Sequence, residues 1–222
     1  MIQMVAFDVA GTTIDDDGVV LAAFKKAFST IDPEGWQTNQ DAWTKYALDT
    51  MGQSKIKVFT EILGAAELAE VANREFEAAY LELIEANGVN AIAGAEELFA
   101  KLRDLGIPVV LTTGFSRETM NALLNKLGWH RKISLSVVPS DAGEGRPSPA
   151  MLKFAANALG VSEPSECAVL GDTDSDMISA TAFGAGRRIG VLSGAHDASK
   201  LAEAGATDIV NSVADVEHLL FT

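Results

Sequence analysis

From residue 94 to the end, the sequence alternates between short apolar runs and segments of helical periodicity, and this alternation restricts the fold more than any other feature. Short apolar runs bounded by turn residues indicate buried strands, and apolar residues at spacings of three and four indicate helices. The predicted strands are 107–111, 135–138, 168–170, 189–192 and 208–210, and the predicted helices are 94–105, 117–127, 148–159, 174–183, 199–204 and 213–220. In the helix 148–159, Ser148 and Pro149 are expected to supply the N-cap and the first turn. This order predicts an α/β fold, with a parallel sheet covered by helices on both faces.

A block of helical sequence separates the first strand from this alternating part. One face of its first helix carries Val20, Phe24 and Phe28, and its longest helix ends near Gly88. No strand is evident between residues 19 and 87. Because a helical block of this length cannot lie inside the sheet, we predict a smaller second domain over the carboxyl ends of the strands. The predicted division is a core domain at residues 1–14 and 90–222 and a helical cap domain at residues 15–89.

The first strand lies in the sequence MVAFDVAGTT, residues 4–13. Its apolar residues run up to Asp8, and Gly11 then breaks the run, which predicts a buried strand that ends in a carboxylate and a turn. In open α/β sheets the ligand crevice lies beyond the carboxyl ends of the strands, and a glycine there lets backbone amides approach an anion. From this stretch alone, a strand that happens to end in Asp explains the pattern equally well.

Composition argues against several classes of function. The chain is 48% hydrophobic, enough for a substantial core, but its apolar residues are interrupted too often for a membrane span. With 31 acidic and 17 basic residues the net charge is −14, which argues against binding to nucleic acid. Residues 2–7 lead directly into a strand, without the basic and apolar regions of a signal peptide, so we expect a cytoplasmic protein. A small anionic substrate remains compatible, since a local site can oppose the global field.

The cysteine and histidine residues indicate neither a disulfide nor a zinc centre. Cys167 is the single cysteine, borders an apolar strand and is expected to be a small core residue. The three histidines lack the spacing of zinc ligands. Asp15, Asp16 and Asp17 could suggest a metal cluster, but consecutive side chains diverge, which favours a solvated linker.

Acidic residues stand at two predicted strand ends. Asp8 ends the first strand, and the turn GDTDSD, with Asp172 and Asp176, follows strand 168–170. The acidic turn can be explained without chemistry, since such turns often cap a helix. If the strand ends converge on one crevice, however, these residues offer the hard oxygen ligands that suit Mg²⁺. The predicted metal ligands are Asp8, Ala10, Asp172 and Asp176.

Donors for an anion stand at the remaining strand ends. The hydroxyl of Thr113 and the amide of Gly114 follow strand 107–111, and Arg146 lies in a later loop. Taken singly, a Thr at a strand end is usually a turn residue and an Arg in a loop is usually solvated. Together they would donate to a phosphoryl group and neutralise its charge, so that Asp8 could attack phosphorus in line and form an aspartyl phosphate. The predicted phosphate-binding residues are Ala10, Gly11, Thr12, Thr113, Gly114 and Arg146.

Four sequence motifs resemble, in this order, those of the haloacid dehalogenase superfamily with a helical cap. They are DVAGTT at Asp8, the strand ending in TTG, GRPSPAM at Arg146 and GDTDSDM at Asp172, and they span nearly the whole chain. Most members carry Asp two residues after the nucleophile and Lys at the third motif, whereas the phosphonoacetaldehyde hydrolase branch carries Ala and Arg, as Ala10 and Arg146 do here. The resemblance implies a Rossmann-like doubly wound parallel sheet with an inserted all-helical cap domain, a Mg²⁺ cofactor and a cap-mediated homodimer. It also implies catalysis by Asp8, Thr113 and Arg146.

Lys55 is a candidate for the Schiff-base lysine that this branch carries in its cap, where the lysine activates an aldehyde substrate. The branch places that lysine shortly after a Met-Gly pair, and Met51, Gly52 and Lys55 match its spacing. Ser54 is a typical N-cap, so Lys55 would stand in the first helical turn, where the macrodipole opposes a cation by about 0.3–1 kcal/mol and favours the neutral amine. An ordinary solvated lysine would suit the same position.

The chain departs from the branch at the substrate end of the site. The branch has a histidine three residues after its lysine and a cysteine soon after the first motif, where this chain has Val58 and Val19. Val9 replaces a bulky aromatic residue beside the nucleophile, and Lys57 is a possible substitute for the missing proton carrier. These changes concern the residues expected around the leaving group of the substrate, not those expected around the phosphoryl group.

The sequence therefore favours a Mg²⁺-dependent, capped hydrolase that cleaves a phosphoryl group from a small phosphonate or phosphorylated metabolite through Asp8. Phosphonoacetaldehyde, with Lys55 as the Schiff base, is the sharpest version of this hypothesis. The alternative is a plain phosphomonoesterase that acts on phosphoglycolate or a sugar phosphate. The missing acid at Ala10 would also suit a phosphate-binding module without turnover. Four further residues argue against that module, because binding alone would have to explain them all: Thr113, Arg146, Asp172 and Asp176.

Overall fold

The computed structural model of the chain describes residues 2–15 and 17–221. Its strands are β1 (Met4–Asp8), β2 (Ile14–Asp15), β3 (Asn90–Ala91), β4 (Val109–Thr112), β5 (Leu135–Val137), β6 (Cys167–Gly171), β7 (Arg187–Val191) and β8 (Asp208–Val210). Its α-helices are α1 (Val19–Ile31), α2 (Pro33–Asp49), α3 (Lys55–Leu63), α4 (Ala66–Asn87), α5 (Ala95–Asp104), α6 (Arg117–Leu127), α7 (Pro139–Ala142), α8 (Ala150–Leu159), α9 (Asp174–Phe183), α10 (Ala198–Glu203) and α11 (Glu217–Leu220). Short 3₁₀-helices occur at Trp129–Arg131, Pro164–Glu166 and Val213–Asp215.

Within the described residues, six parallel strands form the main sheet, in the order β5-β4-β1-β6-β7-β8. The chain runs outward from β1 to β4 and β5, crosses back to β6 on the other side of β1, and continues to β7 and β8. The predicted doubly wound α/β fold is therefore confirmed. At the carboxyl end of β1, Asp8 pairs in register with Thr112. Asp8 thus lies where the strand order reverses, which is the usual position of the ligand crevice in such sheets.

Strand β1 is buried on both faces, and this explains its continuous apolar sequence. Val5 and Phe7 belong to the hydrophobic cluster on one side of the sheet, and Met4 and Ala6 belong to the cluster on the other side. Cys167 lies fully buried in the second cluster, and burial raises the pKa of its thiol to about 11. The cysteine is therefore a core residue, as predicted.

The helices α1 to α4 form a layer that follows β1 in the sequence. Helices α1 and α3 both pack on α4, and α2 packs on α1. Aromatic rings fill the centre of this layer: Phe28 lies 5.2 Å from Phe59 and Phe59 lies 5.7 Å from Phe76 between ring centroids. Val20, Phe24 and Phe28 are buried along α1, as its periodicity predicts. The block between residues 19 and 87 is thus helical, and we refer to α1–α4 as the helical cap.

A two-stranded antiparallel ribbon joins the helical cap to the rest of the chain. Ile14 pairs with Ala91 and Asp15 pairs with Asn90. Sequence analysis predicted a domain boundary but no strand at these positions, because strands of two residues are too short to show a period. The ribbon holds the two connections side by side. The division into domains at residues 15 and 89 stays a prediction.

Two local predictions in the alternating part are wrong, although most element ends agree within one or two residues. Pro149 occupies the N-cap position of α8 rather than its first turn, and the hydroxyl oxygen of Ser148 accepts a hydrogen bond from the Ala150 amide at 3.3 Å. The predicted closing helix is interrupted at Val216, between a 3₁₀ turn and α11. In the part of the chain that the structure describes, no helix is both long and apolar enough to cross a membrane.

Candidate active site

The carboxyl ends of the central strands and the helical cap enclose a cavity of about 280 Å³. Its sheet-side wall contains Asp8 at the end of β1, Thr113 after β4 and Asp172 after β6. The predicted site residues that line this cavity are Asp8, Ala10, Gly11, Lys55, Thr113, Gly114, Arg146 and Asp172. Thr12 and Asp176 lie behind this wall and contact it through their side chains. The structure thus brings the dispersed motifs of the sequence to one place.

A buried chain of ion pairs connects Asp8 to Asp176 through Arg146. The Nη2 atom of Arg146 donates to Asp8 Oδ1 at 2.5 Å, and its Nη1 atom contacts Asp176 Oδ1. The side chain of Arg146 is only 3% exposed, so these charges interact with little solvent screening. Within the described residues, the buried Nε atom of Arg146 has no hydrogen-bond acceptor, whereas Nη1 is already in contact with Asp176. Because buried donors without acceptors are unfavourable, this guanidinium is suited to binding a further anion.

The turn after β1 packs directly on Asp172. The Thr13 hydroxyl donates to the carbonyl oxygen of Asp8 at 3.0 Å, and the Thr12 hydroxyl donates to Asp172 Oδ1 at 3.2 Å. Gly11 has a φ angle of +85°, and a Cβ atom there would lie 2.6 Å from Asp172 Oδ2. The turn therefore requires glycine at this position, both for its backbone conformation and for its closeness to the carboxylate.

Asp172 is a buried carboxylate next to another carboxylate. The Ala195 amide donates to its Oδ2 at 2.8 Å. Burial, followed by the nearby charge of Asp8, raises the pKa of Asp172 to about 7, while the Ala195 amide and Arg146 act in the opposite direction. A pair of carboxylates that interact this strongly favours a cation between them.

Asp176 faces away from the cavity. It stands at the third position of α9, where its Oδ2 atom accepts hydrogen bonds from the amide of Thr173 at 3.1 Å and from the Thr173 hydroxyl at 2.6 Å. The bond from the Thr173 amide, together with a bond from the Asp176 amide to the Thr173 hydroxyl oxygen at 3.4 Å, forms a capping box at the start of the helix. Its other oxygen contacts Arg146, so that Asp176 orients the guanidinium. Direct metal ligation by Asp176 stays a prediction.

Thr113 and Gly114 form the turn that follows β4. The Thr113 amide donates to the Val137 carbonyl oxygen at 3.4 Å, and its hydroxyl oxygen accepts from the Phe115 amide at 3.3 Å. This arrangement allows the Thr113 hydroxyl proton to point towards a ligand in the cavity. A Cβ atom on Gly114 would lie 2.9 Å from the carbonyl oxygen of Gln53, so the helical cap touches this turn.

Lys55 is the first residue of α3 and lines the same cavity as Asp8. Its Nζ atom lies 4.0 Å from Met51 Sδ and 5.8 Å from the ring centroid of Phe76. Ser54 occupies the predicted N-cap position, although its side chain makes no capping hydrogen bond. The lysine therefore has the predicted helical position and lies among apolar side chains.

The segment between α2 and α3 is the part of the helical cap that docks on the strand ends. Gly52 has a φ angle of +82°, and a Cβ atom there would lie 2.2 Å from the Thr173 hydroxyl oxygen. Met51 and Gly52 both line the cavity. The cap therefore contacts the strand ends at this point, and residues of both the cap and the sheet line the cavity.

Sequence reasoning missed the loop after β7. Ser193, Gly194 and Ala195 line the cavity, and a Cβ atom on Gly194 would lie 2.0 Å from Asp172 Oδ2. The Ser193 hydroxyl donates to the Gly11 carbonyl oxygen at 2.7 Å. The loop directly follows a predicted strand, so the strand-end argument that identified Thr113 applies here as well.

His196 contacts the helical cap, which its position in the sequence does not indicate. It is buried, its Nδ1 atom accepts from the Asp174 amide at 2.9 Å, and its Nε2 atom lies 3.4 Å from the Leu48 carbonyl oxygen of the helical cap. Burial lowers the pKa of His196 from its ordinary value. The neighbouring Lys200 donates to the Asp49 carbonyl oxygen at 3.0 Å. These residues form a second point at which the cap docks.

The acidic linker after the first strand is exposed, as predicted, at both of its described residues. Asp15 and Asp17 are exposed at the edge of the cavity, and Asp16 lies outside the described residues. Among the residues that the structure describes, no three His, Cys, Asp or Glu side chains are grouped as a metal site. The two described residues therefore place negative charge at the edge of the cavity.

The donor set on the sheet-side wall fits Mg²⁺. Asp8 and Asp172 provide two hard carboxylates, and Ala10 lines the same cavity. Mg²⁺ typically binds one or two carboxylates and completes its octahedral shell with water and phosphate oxygens. This chemistry agrees with a site in which Asp176 serves Arg146 instead.

Comparison with known proteins yields consistent matches. Residues 2–184 match the haloacid dehalogenase-like hydrolase family. The chain is 30% identical over 195 residues to phosphonoacetaldehyde hydrolase from Bacillus cereus, and the matched region covers 79% of this chain and 70% of the relative. It is 25% identical over 215 residues to the bifunctional riboflavin kinase/FMN phosphatase from Arabidopsis thaliana, which covers 96% of this chain and 54% of the relative. A solved hydrolase structure from Pseudomonas syringae has a TM-score of 0.82 at 26% identity and covers 98% of this chain and 97% of that one.

Proposed function

Since the chain belongs to the haloacid dehalogenase-like hydrolase family and is a phosphohydrolase, we propose that it cleaves phosphonoacetaldehyde in a Mg²⁺-dependent reaction. The observation that carries the proposal is one cavity that combines the ion-paired Asp8 and Arg146 with Lys55 of the helical cap. Ala10 supports a phosphonate rather than an ester, because a methyl group stands at the position from which an acidic side chain would protonate a departing alkoxide.

Asp8 supplies the nucleophile in this proposal. Arg146 fixes its carboxylate at the end of β1, from where an oxygen attacks phosphorus in line. The Thr113 hydroxyl and the Gly114 amide donate to the phosphoryl oxygens and stabilise the charge that develops on them. Water then hydrolyses the aspartyl phosphate, which releases phosphate and regenerates the carboxylate of Asp8.

Asp8, Asp172 and the main chain of Ala10 would hold the metal ion. When bound, Mg²⁺ neutralises negative charge on the phosphoryl group and on the attacking carboxylate. The hydroxyl of Thr12 and the amide of Ala195 keep the Asp172 carboxylate in place. Because the pKa of Asp172 is about 7 without the ion, metal binding is expected to weaken as the pH falls below that value.

Lys55 would activate the organic part of the substrate. Its amine condenses with the aldehyde, with loss of water, to give an iminium group. When the phosphorus–carbon bond breaks, the bonding electron pair passes into the iminium group and forms an enamine, so that no free carbanion arises. Protonation and hydrolysis of the enamine then release acetaldehyde and restore the amine of Lys55.

A phosphate-release assay with Mg²⁺ and phosphonoacetaldehyde tests the role of Asp8. We expect wild-type turnover and, in Asp8→Asn, a loss of at least about a thousandfold, because the amide is not a competent nucleophile. Wild-type turnover in Asp8→Asn would contradict the mechanism. Failure of the wild-type protein to release phosphate from phosphonates and from small phosphate esters would favour a phosphate-binding module.

Borohydride reduction in the presence of the aldehyde tests the role of Lys55. We expect a covalent adduct on Lys55, identified by peptide mass, that disappears in Lys55→Arg. Lys57→Arg is the matched control, since Lys57 lies on the same helix but is exposed. Turnover of phosphoglycolate or a sugar phosphate without any adduct would show that the enzyme is a phosphomonoesterase.

A further inference from the structure

Glu77 is a buried carboxylate of the helical cap whose hydrogen-bond partners lie outside the cap. It lies in α4 and is 9% exposed. Its Oε1 atom accepts from the Ser116 amide at 3.1 Å, and its Oε2 atom accepts from the Ser116 hydroxyl at 2.8 Å and from the Thr119 hydroxyl. Three donors from the start of one distant helix therefore meet the charge of this carboxylate.

The donors to Glu77 belong to the N-terminus of α6. Ser116 is the N-cap residue of that helix, and its hydroxyl oxygen also accepts from the Thr119 amide at 3.2 Å. The positive end of the helix dipole favours an anion at this position. Glu77 thus completes the cap of a helix that lies beside the sheet, and it does so from the other layer of the molecule.

The residues that contact α4, Phe115 and Ser116, directly follow the turn of Thr113 and Gly114 in the sequence. Phe115 lies between this turn and Ser116, and its ring lies 4.5 Å from Tyr80 and 6.3 Å from Phe76 between centroids. Its amide donates to the Thr113 hydroxyl oxygen at 3.3 Å. Phe115 therefore contacts both helix α4, through its ring, and the Thr113 hydroxyl, through its amide.

We propose that Glu77 is a positioning residue for the phosphate-binding turn, which it holds through Ser116 and Phe115 from the helical cap. The proposal rests on the proposed function, in which Thr113 and Gly114 donate to the phosphoryl group. Without the carboxylate, the donors of Ser116 and Thr119 lose their acceptor and the segment 113–116 relaxes. Phosphate affinity then depends on a residue that does not itself touch the ligand.

The test compares Glu77→Ala and Glu77→Gln with a matched control, Glu85→Ala. Glu85 lies on the same helix and pairs with Lys126 of α6 at 2.6 Å, but its side chain is 77% exposed. The control removes the same charge and another α4–α6 contact, at a distance from the turn. The measurements are the Kd for inorganic phosphate in the presence of Mg²⁺, amide hydrogen exchange in residues 113–119, and Tm.

We expect Glu77→Ala to weaken phosphate binding about tenfold and to speed exchange in residues 113–119. Glu77→Gln keeps an acceptor for the Ser116 amide and should stay within about threefold of the wild type. Glu85→Ala should match the wild type in both measurements, whatever its Tm. If Glu77→Ala does not fold, Glu77→Asp replaces it, because the shorter side chain withdraws the carboxylate from Ser116.

The outcomes separate this inference from the proposed function. Phosphate binding by the wild type, together with unchanged affinity and exchange in the folded Glu77 variants, would overturn the inference alone. A wild-type protein that does not bind phosphate would overturn the proposed function and the inference with it. An equal loss of affinity in Glu85→Ala would show a general effect of the α4–α6 contact and would also overturn the positioning role.

Discussion

Ala10 lines the cavity that contains Asp8 and carries a methyl group rather than an acidic side chain. An acid at this position could protonate an oxygen leaving group, a contribution of roughly two to four powers of ten. In the proposed mechanism, the substrate is therefore one whose leaving group is activated in another way. The position of Lys55 in the same cavity is consistent with that requirement.

Ala10→Asp is expected to improve the hydrolysis of alkyl phosphate esters. The new carboxyl group would protonate the alkoxide, so turnover of an alkyl ester should rise at least about tenfold relative to p-nitrophenyl phosphate, whose leaving group needs no proton. Steady-state phosphate release measures both rates. Ala10→Asn is the control, because it has the same size without an ionisable proton, and an equal gain in that variant would contradict the explanation.

Asp172→Asn is expected to stabilise the protein at high pH and to abolish its response to Mg²⁺. The pKa of Asp172 rises from the ordinary value of 3.8 to about 7, so the native state binds more protons than the unfolded state between these values. Its stability therefore falls as the pH rises through this window, and the loss is complete above about 7. Asparagine still offers an oxygen to the Ala195 amide but carries no charge.

Thermal melts without metal should show little difference between Asp172→Asn and the wild type at pH 4, and a Tm about 5 °C higher for the variant at pH 8. Adding Mg²⁺ at pH 8 should raise the Tm of the wild type only. A variant that is equally stable at both pH values, or that still responds to Mg²⁺, would contradict the role of Asp172.

At the scale of elements, the segment between α2 and α3 brings the cap into contact with the site residues at the strand ends. Gly52 fits against Thr173, whose hydroxyl belongs to the capping box with Asp176. Asp176 in turn contacts Arg146. A side chain added at Gly52 would therefore disturb the ion-paired residues as well as the closure of the cap.

Gly52→Ala is expected to lose activity in addition to stability, whereas Gly64→Ala loses stability only. Both glycines have positive φ angles, +82° and +67°, so alanine strains both positions by about 1 kcal/mol. A Cβ atom at Gly64 meets no atom within 4 Å, whereas at Gly52 it would lie 2.2 Å from Thr173. The measurements are Tm and kcat/KM, and we expect at least about a tenfold lower kcat/KM for Gly52→Ala alone. Equal activity of the two variants would count against docking of this segment.

At the scale of the whole molecule, the proposed anion-binding cavity lies in a strongly acidic protein. The net charge is −14, yet Arg146 and Lys55 line the cavity. The local cations act at contact distance, while the global field acts at long range and repels an anionic substrate. Salt screens the long-range repulsion and leaves the buried ion pairs largely unaffected.

The kcat/KM for an anionic substrate is therefore expected to rise with ionic strength. Between about 10 and 200 mM KCl the Debye length falls from about 30 Å to below 10 Å, which should raise kcat/KM a few fold and leave kcat nearly constant. Steady-state kinetics at a fixed concentration of free Mg²⁺ provide the measurement. A decrease in kcat/KM would show that local attraction, rather than global repulsion, governs the encounter.

The sequence by itself determined the sheet, the helical cap and most of the strand-end residues. Strands and helices leave periodic signals within a few neighbouring residues, which is why β1 and the helix that buries Phe24 could be predicted. Asp8, Thr113 and Asp172 were identified because each follows an apolar run, and parallel strands bring such ends to one edge. The ribbon at Ile14 left no comparable signal, because two residues cannot show a period.

Only the tertiary structure decided which partner each polar side chain has. Asp172 and Asp176 stand in one acidic turn, yet packing turns the first to the cavity and the second to Arg146. Glu77 is an ordinary acidic residue of a long helix until α6, whose N-cap lies 39 residues further along the chain, places three donors around it. The physical reason is that periodicity is a local property of the chain, whereas the energy of a buried charge depends on donors and charges that distant segments bring to it.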